Sequence, residues 1–116
     1  DNESLVFHCT AGKDRTGMAA ALFLSALKVP QEIVMQDYLA SNYYRKNVNQ
    51  NEAINIEKMY HLNPKVAEDL MSVKSGYLNA TFDAITKQYG SIENYLKKSI
   101  GLTKRDIKIL LKKYTD

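Results

Sequence analysis

The sequence has few of the residues that form crosslinks, rigid turns and membrane spans. Among 116 residues it contains one cysteine, two prolines, five glycines and no tryptophan. A single cysteine excludes an internal disulfide, so the fold does not depend on an oxidising compartment. The longest apolar stretch, residues 18–27, is shorter than the ~20 residues that cross a bilayer, and it predicts a buried helix. We expect a cytoplasmic location, with secretion left open because no natural N-terminus is visible.

The composition is that of one small globular domain. Hydrophobic residues make up 45% of the chain and charged residues 25%, which excludes a disordered tail or a repeat array. The net charge of +3 suits an anionic substrate. No run of lysine and arginine exceeds two residues, so we expect no nucleic-acid partner.

The predicted fold class is α/β, with a short strand over residues 4–8, a loop over residues 8–15 and helices through residues 15–114. The strand prediction rests on the apolar run Leu5-Val6-Phe7. One strand cannot form a sheet, because its backbone groups would lack partners. We therefore expect a missing N-terminal part, or another chain, to complete the sheet.

Apolar spacing and end signals predict six or seven helices. The first runs from Arg15 to Leu27, and Pro30 begins a second that continues to about Asn42. Two short helices follow, around residues 54–59 and 66–71, after a polar stretch over residues 47–55. The remaining signals are a Ser75 cap with closure at Gly90, a short helix after Ser91, and the Thr103-x-x-Asp106 cap of the last helix.

The informative segment is residues 8–17, where Cys9 and Arg15 bracket five residues between the predicted strand and helix. A loop entering a helix N-terminus directs successive backbone N–H groups, and the positive end of the helix dipole, towards one point. Gly12 permits the tight turn, and the planar guanidinium of Arg15 can hold two phosphate oxygens. The predicted phosphate-binding residues are Thr10, Ala11, Gly12, Lys13, Asp14 and Arg15.

Cys9 is the predicted nucleophile of this loop. The groups that attract phosphate also stabilise its thiolate, which can attack phosphorus and form a phosphocysteine that water hydrolyses. Thr16 could donate its hydroxyl proton to the departing sulfur, and His8 could hydrogen-bond the loop backbone, with Gly17 following at the helix start. We expect no cofactor and no metal, because the loop itself neutralises the phosphate charge.

Other uses of these residues fit less well. A lone cysteine after a strand is usually a small buried hydrophobic residue, but here it is accompanied by Gly12, Arg15 and Thr16. The phosphate loop of nucleotide hydrolases needs Ser or Thr after Gly-Lys, where this chain has Asp14. A zinc site lacks further cysteines, and His61 is the only other histidine.

As it stands, the segment His-Cys-Thr-Ala-Gly-Lys-Asp-Arg-Thr-Gly resembles the phosphate loop of the bacterial branch of protein tyrosine phosphatases. Further likeness lies in short motifs across most of the chain. These are Tyr38-Leu39, Ser41-Asn42, Tyr77-Leu78, Tyr89-Gly90-Ser91-Ile92, Tyr95-Leu96 and Gly101-Leu102. The resemblance implies a central sheet flanked by helices, of which this chain would be the C-terminal part.

The resemblance also implies roles for residues that the loop chemistry leaves open. It places the general acid inside the phosphate loop, at Asp14, and a helical lid over about residues 43–72. Its members act on phosphotyrosine and often on phosphoserine, phosphothreonine or phosphoinositides. We expect a phosphorylated protein as substrate, with a phosphoinositide phosphatase or a non-catalytic phosphate-binding module as alternatives.

Two further points bear on the choice of substrate and reaction. A sulfurtransferase or an arsenate-reducing enzyme would leave the aspartate-arginine-threonine order unexplained. Lys13 could be a second cation near the phosphate, which would favour doubly charged or inositol-phosphate substrates, or it could merely be solvated at the loop rim. The sequence leaves both roles of Lys13 open.

Overall fold

The computed structural model describes residues 4–115, and all regular secondary structure in this part of the chain is helical. Seven helices follow one another along it. They are α1 (Asp14–Ala26), α2 (Gln31–Tyr44), α3 (Lys46–Tyr60), α4 (Pro64–Met71), α5 (Ser75–Tyr89), α6 (Ile92–Lys98) and α7 (Lys104–Tyr114).

The strand predicted for residues 4–8 is absent from the described structure, and that prediction is wrong. Leu5 and Val6 are both 85% exposed. A strand is stabilised by hydrogen bonds to a neighbouring strand and by burial of one face, and residues 4–115 supply neither to this segment. The described part of the chain therefore carries the helices of the expected α/β fold without its sheet.

The core lies where α1, α2 and α5 meet. It consists of residues whose side chains are almost fully buried, namely Ala21, Val34, Tyr38, Val73, Leu78, Phe82 and Ile85. The stripe on α5 recurs every three to four residues, which places Leu78, Phe82 and Ile85 on one face of that helix. This confirms the predicted apolar face of α5.

Helix α1 is less buried than its apolar sequence predicts. Ala21 and Ala26 are its only fully buried residues, and Phe23 is exposed beside Tyr114 of α7, with ring centroids 5.3 Å apart. An open apolar pocket of about 640 Å³ separates this face from Leu5 and Phe7. One side of α1 thus lacks a covering layer in the described structure.

The helix ends follow from local hydrogen bonds. Thr103 and Asp106 form the predicted capping box, and Gly90 ends α5 with a φ of 82°. Ser75 does not cap α5 as predicted, because it is the first helical residue and Lys74 occupies the cap position without a side-chain bond. Pro30 precedes α2 as its cap rather than beginning it.

The polar stretch at residues 47–55 is helical, so α3 is much longer than the short helix predicted there. Ala53 and Ala67 are buried, and α3 lies against α4. His61, with a φ of 52°, ends α3, and the Asn63 side chain accepts a bond of 2.9 Å from Lys65 N–H to begin α4. We call α3 and α4 together the helical hairpin; it falls within the span in which a lid was expected.

Gly17 on α1 packs directly against the Tyr38 ring on α2. A Cβ atom at this position would lie 2.8 Å from two ring carbons of Tyr38. Tyr38 is 3% exposed and belongs to the core, so its ring has little room to move. Only glycine allows α1 to lie this close to α2.

We predict that Gly17→Ala destabilises the fold by about 1–3 kcal/mol, because the added methyl group overpacks the contact with Tyr38. Gly76→Ala is the matched control: its Cβ would meet nothing within 4 Å, at the start of α5. That change should be neutral or stabilise by up to about 1 kcal/mol through the unfolded state. Urea unfolding followed by circular dichroism measures both; equal effects would refute the close-approach explanation.

Candidate active site

The candidate site is the loop over residues 8–15, which joins the exposed N-terminal segment to α1. Gly12 has a φ of 68°, in the left-handed region that favours glycine, and this reverses the chain direction within the loop. The helix begins at Asp14, and Gly17 N–H donates to the Lys13 carbonyl at 3.0 Å to close its first turn. The first N–H groups of a helix have no partner within it, and here the N–H of Thr16 reaches the Cys9 sulfur.

The Cys9 sulfur lies within this turn. Gly12 N–H donates to Sγ at 3.2 Å. The pKa of the thiol is lowered from 9.0 to about 6, first by the Thr16 hydroxyl and then by the backbone N–H groups of Thr16, Gly12 and Ala11, while burial opposes the change. At pH 7 such a thiol is ~90% thiolate, whereas at its ordinary pKa it would be ~1%.

The Thr16 hydroxyl is buried and makes no well-formed hydrogen bond within the described residues. It nevertheless lies near enough to the sulfur to be the largest cause of the lowered Cys9 pKa. The hydroxyl is therefore placed to donate to the thiolate, although it does not form a hydrogen bond of good geometry to the sulfur. Its position is compatible with the predicted transfer of a proton to sulfur.

Arg15 joins the two ends of the loop. Its Nη2 donates to Thr10 Oγ1 at 3.2 Å, and its side chain is exposed to solvent above the turn. The remaining N–H groups of the guanidinium are the kind of planar fork that binds two oxygens of one anion. Cys9, Thr10, Gly12 and Arg15 are thus brought together.

His8 contacts the backbone of the next residue. Its Nδ1 lies 3.3 Å from the Cys9 carbonyl oxygen, and in the tautomer that carries the proton on Nδ1 it donates to that oxygen. The ring therefore touches the loop backbone, as the sequence predicts, although it does so from an exposed position. It can restrict the orientation of Cys9 without touching the sulfur.

Lys13 contributes its backbone to the loop, but its side chain is buried against other parts of the protein. The residue is only 6% exposed. Its Nζ donates to Asp14 Oδ2 at 2.7 Å and to the Ser72 carbonyl at 3.4 Å. The Asp14 side chain remains 43% exposed at the rim of the loop. The ammonium that was expected to bind phosphate is engaged by protein groups.

Tyr38 is a residue that the sequence motifs did not mark as part of the site. Its hydroxyl is buried and has no hydrogen-bond partner within residues 4–115. Burial raises its pKa, and the negative charge of Asp14 raises it further, so the two groups are near each other. The spacing of apolar residues along α2 indicates only that Tyr38 lies in the core. That spacing alone does not reveal that Tyr38 is close to Asp14.

The acidic, histidine and cysteine side chains of the described chain are dispersed. No group of three or more of them within residues 4–115 could hold a metal ion. In the same part of the chain, none of the helices combines the length and the hydropathy needed to cross a bilayer.

Known protein sequences resemble most of this chain. The sequence pattern described as the tyrosine phosphatase family matches residues 1–116. The chain belongs to the tyrosine phosphatase family. This confirms the family that the resemblance of the loop predicted.

Three relatives show how much of a family member the chain represents. It is 41% identical over 98 residues to a protein of Cupriavidus necator whose name places it among tyrosine-protein phosphatases, covering 84% of this chain and 36% of the relative. It is 32% identical over 100 residues to the triple specificity protein phosphatase PtpB of Mycobacterium tuberculosis, covering 78% and 36%. A tyrosine-protein phosphatase of Nostoc commune is 32% identical over 114 residues, covering 92% and 37%. The chain thus spans little more than a third of these relatives.

We predict that the alkylation rate of Cys9 by iodoacetamide rises with pH around a midpoint near 6, because its lowered pKa makes the thiolate available well below the ordinary value of 9.0. As the only cysteine, it gives an unambiguous signal. The urea-unfolded chain serves as reference, with a midpoint near the ordinary value. Thr16→Val should move the native midpoint upward. A native midpoint equal to that of the unfolded chain would show that the loop does not stabilise the thiolate.

Proposed function

We propose that this tyrosine phosphatase family member hydrolyses phosphomonoesters, and phosphotyrosine in proteins first of all, through a phosphocysteine intermediate. The observation that carries the proposal is the Cys9 thiol, with a pKa of about 6, in a turn of backbone donors closed by the Arg15–Thr10 bond. A nucleophile that is ionised at neutral pH lies next to a cationic fork suited to phosphate.

The reaction proceeds in two displacements. In the first, the Cys9 thiolate donates an electron pair to phosphorus, the S–P bond forms, and the P–O bond to the tyrosine oxygen breaks with its electron pair on that oxygen. In the second, water attacks the same phosphorus, the S–P bond breaks, and the thiolate and inorganic phosphate are released. Arg15 and the loop N–H groups stabilise the charge on the equatorial oxygens in both transition states.

Asp14 is the proposed general acid of the first displacement. Its partly exposed carboxyl lies at the loop rim, where a leaving group would depart. When it gives its proton to the tyrosine oxygen, a carboxylate remains beside the Lys13 ammonium, 2.7 Å away.

The environment of Lys13 favours a phosphoprotein over a phosphoinositide substrate. A second free cation at the loop would favour ligands with several phosphate groups. The Lys13 ammonium is nearly buried and is shared between Asp14 and Ser72. One phosphate group on a tyrosine therefore suits the charges of this loop better than an inositol phosphate does.

A further polypeptide segment would complete the domain. The chain spans 36 to 37% of the length of its relatives, and one face of α1 is open around Ala19 and Phe23. Residues 4–8 lie beside that face with no strand partner in the described chain. Strands from the remaining segment could cover this face of α1, which would give the expected α/β fold. The helical hairpin would then be its lid.

We predict that Cys9→Ser, made in the full polypeptide that carries this chain, lowers kcat on a phosphotyrosine peptide by at least about 10³-fold. Loss of the sulfur removes the nucleophile and leaves the anion-binding turn, so affinity for the peptide should stay within about tenfold. Steady-state assays and isothermal titration give the two quantities.

Arg15→Ala is the companion variant and should weaken both affinity and rate, the rate by about 10²-fold or more. Substantial turnover by Cys9→Ser would exclude the phosphocysteine. Binding of phosphopeptide by the unaltered protein with no turnover would instead support a phosphate-binding module.

We predict that Asp14→Asn lowers kcat/KM for phosphotyrosine by about 10²–10⁴-fold but changes it less than about tenfold for dinitrophenyl phosphate. The phenolate of tyrosine needs a proton as it leaves, whereas dinitrophenolate departs readily without one. The comparison is made on both substrates at one pH. Equal losses on the two substrates would mean that Asp14 braces the loop and that another group is the acid.

A further inference from the structure

Asn42, near the end of α2, binds both backbone groups of a residue 31 positions later. Its amide nitrogen donates to the Val73 carbonyl at 2.8 Å, and its side-chain oxygen accepts from Val73 N–H at 2.8 Å. An amide side chain supplies a donor and an acceptor side by side, which is what the backbone of an extended residue requires. Asn42 thus takes the place of a neighbouring strand for Val73.

These two bonds determine where the chain returns from the helical hairpin. Val73 is 2% exposed and belongs to the core, so its backbone groups have little access to water. Loss of the Asn42 amide would leave both unpaired, which is costly at such a site. Another contact near Val73, the Lys74–Asp69 ion pair, joins side chains that are 46% and 33% exposed, and exposed ion pairs hold geometry weakly.

The return also lies in contact with the phosphate loop. The Ser72 carbonyl, adjacent to Val73, accepts from the Lys13 ammonium at 3.4 Å. The same ammonium donates to Asp14 at 2.7 Å. A continuous series of bonds therefore runs from α2, through the end of the hairpin, to the proposed general acid.

We propose that Asn42 is a positioning residue for Asp14, acting through Val73, Ser72 and Lys13; this rests on the acid role of Asp14 under the proposed function. Asn42 itself does not contact the loop. When Asn42 holds the Ser72 carbonyl in place, the Lys13 ammonium has two fixed partners, and the Asp14 carboxyl is kept at the rim. Without that carbonyl, Lys13 and Asp14 can turn together as a pair.

The test is Asn42→Ala in the full polypeptide, assayed on a phosphotyrosine peptide and on dinitrophenyl phosphate. We expect kcat/KM on the peptide to fall by about tenfold or more, and on dinitrophenyl phosphate by less than about threefold, because only the acid is displaced. The pH midpoint of Cys9 alkylation should not move. Asn94→Ala is the matched control, since Asn94 donates to the Tyr89 carbonyl at 3.0 Å far along the chain from the loop; it should affect neither substrate.

The double variant separates positioning from general damage. Added to Asp14→Asn, the Asn42→Ala change should lower peptide turnover no further, because there is no acid left to position. Should Asn42→Ala fail to fold, Asn42→Asp keeps the acceptor for Val73 N–H and replaces the donor to the Val73 carbonyl with an oxygen that repels it. This variant should show the same difference between the two substrates.

Equal losses on both substrates, or additive losses in the double variant, would overturn the proposal for Asn42. Wild-type protein without turnover, or Asp14→Asn without leaving-group dependence, would instead refute the proposed function or its acid. The two kinds of failure are therefore distinguishable.

Discussion

Stabilising a negative charge on sulfur is the constraint around which this part of the molecule is built. A thiolate inside a protein needs donors that are already oriented, because water would otherwise solvate it better. The Thr16 hydroxyl is the first of these donors, and the turn over residues 9–12 and the first turn of α1 supply the others from the backbone. A backbone N–H group cannot rotate independently, as a side chain can. The geometry of the site therefore depends on the position of α1.

The placement of α1 depends in turn on its contact with α2. Gly17 lies one residue after Thr16, and the Tyr38 ring fills the space that a side chain would occupy there. Tyr38 belongs to the core shared with α5, so the packing of three helices fixes the turn that faces Cys9. The loop is thus held by the core on one side, while the opposite face of α1 stays open.

Local sequence was sufficient for the helices with clear end signals and for the identity of the loop residues. The Thr103–Asp106 cap, the Gly90 end and the apolar face of α5 depend on neighbours three or four residues away. The strand prediction for residues 4–8 was wrong because a strand depends on partners that are distant in the chain, which local sequence does not reveal. Likewise, the length of α3 could not be predicted from its polar sequence, because this helix is stabilised by packing against α4.

The orientation of Lys13 shows most clearly what the motif leaves open. A lysine within a phosphate loop suggests a ligand for phosphate, yet its ammonium is nearly buried between Asp14 and Ser72. The contact with Ser72 joins residues 59 positions apart, so no local pattern could predict it. Burying an ammonium costs free energy unless it is well paired, and here one bond reaches a carboxylate and the other a carbonyl. The charge of Lys13 therefore holds Asp14 and the end of the hairpin together. Under the proposed function, this leaves Arg15 as the side chain suited to bind the phosphate.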